Sequence, residues 1–150
     1  MTDAREAPLG RAIRLVPVEP SLGAAGGLDI DLSAGSAVSG HDALGQALGL
    51  ALVTLRGSDL FAAGFGFAGL AALAEESDPV LRRERLRLAV VEVLRAEPRI
   101  RRILSVRLSG EPGGPEREPG SRSLAILADF ETVASTRQVA RLDGEITDVR

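Results

Sequence analysis

The chain has no cysteine, no tryptophan and no tyrosine, and only four phenylalanines and one histidine among its 150 residues. Each scarcity removes a class of chemistry. Without cysteine there is no disulfide framework, no thiol nucleophile and no cysteine-ligated metal. The same lack fits a chain that folds in a reducing compartment. Sugar and nucleobase sites use aromatic platforms for stacking, and four phenylalanines leave little material for either. A lone histidine, His41, supplies no acid–base pair and no metal cluster.

Long hydrophobic runs are also missing. The longest apolar stretch, Leu60 to Leu73, is broken by glycines and falls short of the ~20 residues that span a bilayer. The amino terminus, Met1 to Glu6, is charged and no apolar run follows it, so it does not read as a secretory signal. The net charge of -3 argues against nucleic acid, because phosphate binding needs a basic surface. These absences predict a soluble protein of the cytoplasm with no nucleic-acid partner, no membrane partner and no cofactor.

What is present belongs to an ordinary globular chain: 45% hydrophobic and 26% charged residues. A chain of this length buries about 70% of its unfolded surface, enough for one domain without staples. Residues 1–10 read as a loose tail, and residues 1–24 as an N-terminal extension to a domain of residues 25–150. Arg11 to Val16 reads as a short strand stopped by Pro17 and Pro20, and Ser21 to Gly27 as a glycine-rich loop. Leu28, Ile30 and Leu32 alternate with Asp29 and Asp31, a period of two that predicts apolar residues inward and solvated acids outward.

Ser39 stands where it can cap a helix, with Asp42 three residues on. Leu44, Leu48, Ala51, Leu52 and Leu55 then recur at helical spacing, Arg56 suits the negative end of the helix, and Gly57 suits its stop. Phe61 to Phe67 is a glycine- and phenylalanine-rich loop whose rings are expected to pin it to the core, and Leu70 to Ala74 a helical turn. Ser77-Asp78-Pro79 opens a longer helix with the apolar stripe Leu86, Ala89, Val90, Val93 and Leu94. The other side carries Arg82, Arg83, Glu84, Arg87 and Glu92, and Pro98 ends the helix. Alternation at Leu104 to Leu108 and at Leu124 to Glu131, across a proline- and glycine-rich loop of residues 110–120, predicts a long-looped antiparallel hairpin. A further strand is expected around Val139 to Leu142, with a turn at Asp143-Gly144. The predicted fold is a single α+β domain: a small, mostly antiparallel sheet with two main helices packed on one face.

No segment carries recognisable catalytic spacing. Paired carboxylates for a glycosidase should stand about 5–9.5 Å apart across a cleft, and none of the 21 acidic residues lies in a segment patterned as a cleft wall. Glu97 is the most interesting, yet Arg99 beside it favours its charged form, which is wrong for a general acid. Gly64-Phe65-Gly66-Phe67-Ala68-Gly69 mimics a dinucleotide fingerprint but lacks the strand before it and a clear helix after it.

Several local patterns recur in one order. Leu28-Asp29-Ile30-Asp31-Leu32 comes first, and Val38 to Leu48 follows with Gln46 inside it. Leu52-Val53-Thr54-Leu55-Arg56-Gly57 precedes Phe61 and Gly64-Phe65-Gly66, and Glu97-Pro98-Arg99-Ile100 closes the series. In these features residues 25–142 resemble the baseplate wedge, or sheath-initiator, family of contractile phage tails, with relatives in type VI secretion and in extracellular contractile injection systems. Phe65 departs from the family pattern, as does the long loop of residues 110–122.

The resemblance implies a non-enzymatic part present in six copies, one per wedge. Its partners would be the larger wedge proteins, the sheath protein and beyond them the inner tube or hub. It implies that Glu97, Pro98 and Arg99 meet the helical bundle of the wedge proteins. It also implies that the C-terminal strands, with Val139, Arg141 and Leu142, offer an edge to the first sheath ring by strand addition. Two plainer readings stand beside these: Glu97 and Arg99 as an internal ion pair at the helix end, and the strands as merely paired among themselves. The alternatives in function are a lysozyme-like enzyme acting on peptidoglycan and a regulatory adaptor of the same fold.

Overall fold

The structure is a computed structural model. It describes residues 7–18, 27–33, 35–116, 125–134 and 137–142. Residues 21–26 of the loop expected from Ser21 to Gly27, the turn at Asp143-Gly144 and residues 1–6 of the expected tail lie outside these residues.

The fold is α+β, built of helices and small antiparallel sheets. A 3-10 turn over Ala7–Leu9 leads into β1 (Arg11–Ile13), β2 (Leu15–Val18), β3 (Gly27–Ile30) and β4 (Ala37–Ser39). Three helices follow: α1 (Gly40–Val53), α2 (Gly69–Glu75) and α3 (Pro79–Ala96). The chain closes with β5 (Ile100–Leu108), β6 (Ile126–Thr132) and β7 (Arg137–Leu142). The strands fall into three pieces rather than one sheet: β1 with β4, β2 with β3, and the three-stranded β5–β6–β7 with β6 in the centre. Every strand pairing is antiparallel, and a single parallel bridge joins Leu55 to Phe67. Among the described residues no helix is long and apolar enough to cross a membrane.

The long helix forms as its sequence dictates. Asp78 accepts hydrogen bonds from the N–H groups of Val80 and Leu81 at 2.8 and 3.0 Å, and Pro79 occupies the first turn, where its missing donor costs nothing. The stripe Leu86, Ala89, Val90, Val93 and Leu94 is buried. It packs with Leu44 and Leu48 of α1 against Val106, Ile126, Ala128 and Phe130 of the sheet. Phe130 is the largest side chain fully withdrawn from water, and full burial of one such ring contributes about 1.5–3 kcal/mol.

Several expectations need correction. Residues 7–9 are not a loose tail, since Leu9 is 0% exposed and belongs to the core. Pro17 does not stop its strand: β2 runs through it and pairs it with Leu28, which a two-stranded ribbon tolerates at its edge. The alternation at Leu28 to Leu32 does not bury an apolar face, because Ile30 and Leu32 are exposed; β2 and β3 make a ribbon with no layer packed behind it at Ile30. Ser39 occupies the N-cap position of α1 but its side chain makes no capping bond. Arg56 lies past the end of α1 and pairs instead with Glu92 of α3 at 2.8 Å. Of the loop phenylalanines only Phe67 is buried, while Phe61 and Phe65 are exposed. Leu55 is exposed as well. Arg87, expected on the side of α3 away from its apolar stripe, donates to the Val106 carbonyl at 2.7 Å and reaches Glu111, tying α3 to β5 and the loop after it.

One close approach demands glycine. The N–H of Phe67 donates to the Thr54 carbonyl at 2.8 Å and the N–H of Arg56 to the Phe67 carbonyl at 3.2 Å. This draws Gly66 so near that a Cβ there would stand 2.6 Å from the Thr54 oxygen, and its φ is +106°.

Candidate functional site

Two places hold the residues that the sequence singles out. The first is the corner between α3 and β5. Glu97 follows the last turn of α3, Pro98 occupies the second position of a turn, and the Ile100 N–H donates back to the Glu97 carbonyl at 3.1 Å. Proline suits that position because its ring fixes φ near the value the turn needs. The turn brings the Arg99 side chain alongside Glu97. Arg99 Nε donates to Glu97 Oε1 at 2.6 Å, Nη2 to Oε2 at 2.7 Å, and the Arg99 N–H to Oε1 at 3.1 Å. This is the fork-to-fork geometry that guanidinium and carboxylate share. The remaining branch, Nη1, donates to the Leu9 carbonyl at 3.0 Å. The Arg99 carbonyl in turn accepts from Val133 at 2.9 Å, just beyond β6.

The electrostatics follow from this geometry. Partial burial works against the Glu97 carboxylate, but the hydrogen bonds from Arg99 and its charge outweigh that and hold the carboxyl below its usual range. The same contacts with Glu97 raise Arg99 above its ordinary value, against burial. The Glu97 and Arg99 side chains are only 13% and 23% exposed, so the pair sits inside the corner. The corner therefore ties three segments together: the end of α3, the start of β5 and the N-terminal turn at Leu9. The internal ion pair is present, and Pro98 lies exposed on its outside.

The second place is the far edge of the three-stranded sheet. β6 lies between β5 and β7, so one side of β7 has no strand against it among the described residues. Val139 pairs with Asp129, Arg141 with Leu127 and Leu142 with Ile126 across the inner side. Ala140 is fully buried and Val139 is exposed, so the strand keeps the two-residue alternation of a one-sided sheet. Gln138 lies 3.0 Å from His41 of α1 through its side-chain nitrogen. His41 thus links α1 to the edge strand. Arg137 pairs with Asp129, donating at 3.0 Å from Nε. That bond and the Arg137 charge hold the Asp129 carboxyl below its ordinary value.

The corner and the edge belong to opposite outer strands of the three-stranded sheet. β5 starts beside Arg99, while β7 pairs only with β6. Glu97, Pro98 and Arg99 come together; Val139, Arg141 and Leu142 form a separate stretch. Gln46 is a functional candidate for the fold itself, seen in the sequence only through the resemblance. Its side chain accepts from the Leu15 N–H and donates to the Ile13 carbonyl, each at 2.7 Å. It bridges the break where the chain leaves β1 for β2. Thr132, fully buried at the end of β6, gave no signal in the sequence at all.

Among the described residues no group of three histidines or acids is placed to hold a metal ion. No family model, no curated protein and no solved structure matches this chain.

Proposed function

We propose that this chain is a structural, non-enzymatic baseplate component of a contractile, phage-tail-like machine. It joins the larger wedge proteins and templates the first sheath ring by strand addition. Six copies serve one particle, which assembles in the cytoplasm. The observation that carries the reading is the outer side of β7. It is a strand of six residues at the edge of a well-packed sheet, with no strand against that side among the described residues.

An edge of this kind presents a row of N–H and C=O groups that gain partners when an extended segment adds to it. The rigid inner pairing with β6 fixes the register that the incoming strand meets. Exposed Val139 offers a side-chain contact on the outer face. Ahead of β5, on the other outer strand, the Glu97–Arg99 pair sets the shape of a corner from which Pro98 projects, and that corner is the surface offered to the wedge proteins. A depressed Glu97 carboxyl also speaks against an acid catalyst, which needs its proton held at neutral pH.

The test is sheath assembly with Val139→Lys. A lysine on an edge strand discourages strand addition, while an exposed site leaves the fold intact. Sheaths should be absent or few, with an unchanged melting temperature. Normal sheaths on Val139→Lys baseplates would overturn strand templating, and normal particles from cells lacking this gene would overturn the whole reading.

A further inference from the structure

The loop between α1 and α2 carries the two most exposed large apolar side chains of the described residues, Leu60 and Phe61, at 93% and 102% of full exposure. They are held out rather than left slack. Asp59 Oδ1 accepts from the N–H groups of Phe61 and Ala62 at 2.8 and 3.2 Å, and the Phe65 N–H donates to the Ala62 carbonyl at 2.8 Å. A tip whose backbone is fixed in this way has less main-chain freedom to lose on binding.

Beside this tip lies a crevice of about 290 Å3 between α1 and α3. Its walls are Ala47, Leu48 and Ala51 of α1, Val93 and Ala96 of α3, and Phe65 of the loop. It is open because both helices present alanine where they face each other. An apolar cavity of about 150 Å3 accepts a benzene ring, so this one has room for a phenylalanine ring and part of a neighbouring leucine. Its rim carries two acids that are already used, Glu92 by Arg56 and Glu97 by Arg99. Arg95, also on the rim, has no ion-pair partner among the described residues.

We propose that two copies of this chain associate through this face, Phe61 of each entering the crevice of the other. The tip matches the crevice in charge as well as in shape. Asp59 uses one carboxylate oxygen to pin its own turn, leaving Oδ2 to accept from Arg95 of the second copy. Because Phe61 and the crevice wall at Phe65 belong to one loop, tip and crevice lie side by side. Two copies turned face to face engage both contacts at once, the self-complementary arrangement of a two-fold dimer. This association is a property of the isolated chain and is independent of the baseplate reading.

Sedimentation velocity of the purified full chain between about 10 and 500 µM tests the proposal, since small interfaces of this kind bind in the micromolar range. The wild-type chain should shift from monomer to dimer across that range. Phe61→Ser should weaken association at least ~30-fold, the loss of a central anchor. Ala96→Trp should plug the crevice with a similar result, and circular dichroism and melting should show both variants folded. The decisive measurement mixes the two variants. One retains the crevice and the other retains the tip, so the mixture should associate more tightly than either alone. A wild-type chain that stays monomeric at 500 µM, a Phe61→Ser chain that dimerises like wild type, or a mixture no tighter than its parts would each overturn the proposal.

Discussion

The corner at Glu97-Pro98-Arg99 and the edge at β7 differ in how they use their polar groups. At the corner the charged atoms are already engaged: three donors of Arg99 meet one carboxylate and the fourth reaches Leu9. At the edge the backbone of one side is free of any strand among the described residues, and in its ion pair the cation stands in water, with Arg137 67% exposed and Asp129 13%. The contrast teaches that the tripeptide most conspicuous in the sequence acts first on the chain itself. It sets the shape of the molecule there, whereas the edge has capacity left over for a partner.

The largest effect should come from Arg99→Ala. It removes three side-chain hydrogen bonds and leaves a mostly buried carboxylate without its cation, at a cost of about 2–4 kcal/mol. Urea denaturation would measure it. If the variant loses nothing, the corner is not a clamp and the comparison collapses. Glu97→Gln should cost less, about 1–2 kcal/mol at pH 7, because shape is kept while charge is lost. The pH dependence sharpens this. The Glu97 carboxyl is depressed in the folded chain. Its contribution is therefore complete above the unfolded carboxylate value of about 4.3 and disappears as pH falls through that value to the folded one. Wild type and Glu97→Gln should thus differ at neutral pH and converge as pH falls through the depressed folded value. The smallest effect belongs to the edge: Arg137→Ala should move the melting temperature by no more than about 2 °C. A shift there as large as that of Arg99→Ala would erase the distinction between the two places.

The parts of the fold legible in the sequence are those fixed by near neighbours. The start of α3 is written in Asp78-Pro79 and its end in Pro98, since caps and proline sterics act within a few residues. β7 was legible in part: a strand was expected around Val139 to Leu142, and it runs from Arg137. The Glu97–Arg99 pair was legible as a possibility because only Pro98 separates its partners. Its link to Leu9 was not, since the two lie 90 positions apart. The same holds for Gln46, whose partners lie 31 and 33 residues away. Periodicity misled at Leu28 to Leu32 because alternation reports a pleat, and only the packing of other elements decides whether one side of that pleat is covered. It misled at Phe61 for the opposite reason: hydrophobicity suggests burial, and a turn pinned by Asp59 overrides it.

Leu9 has a consequence for the way this chain is made. It leaves the ribosome early, yet its carbonyl waits for Arg99 and its side chain for the core between α1 and the sheet. At about 5–20 residues per second, the N-terminal turn spends roughly 5–18 s of synthesis before its guanidinium partner exists. Docking of that turn is therefore a late event of biogenesis, since Leu9 waits for a partner 90 positions further along the chain.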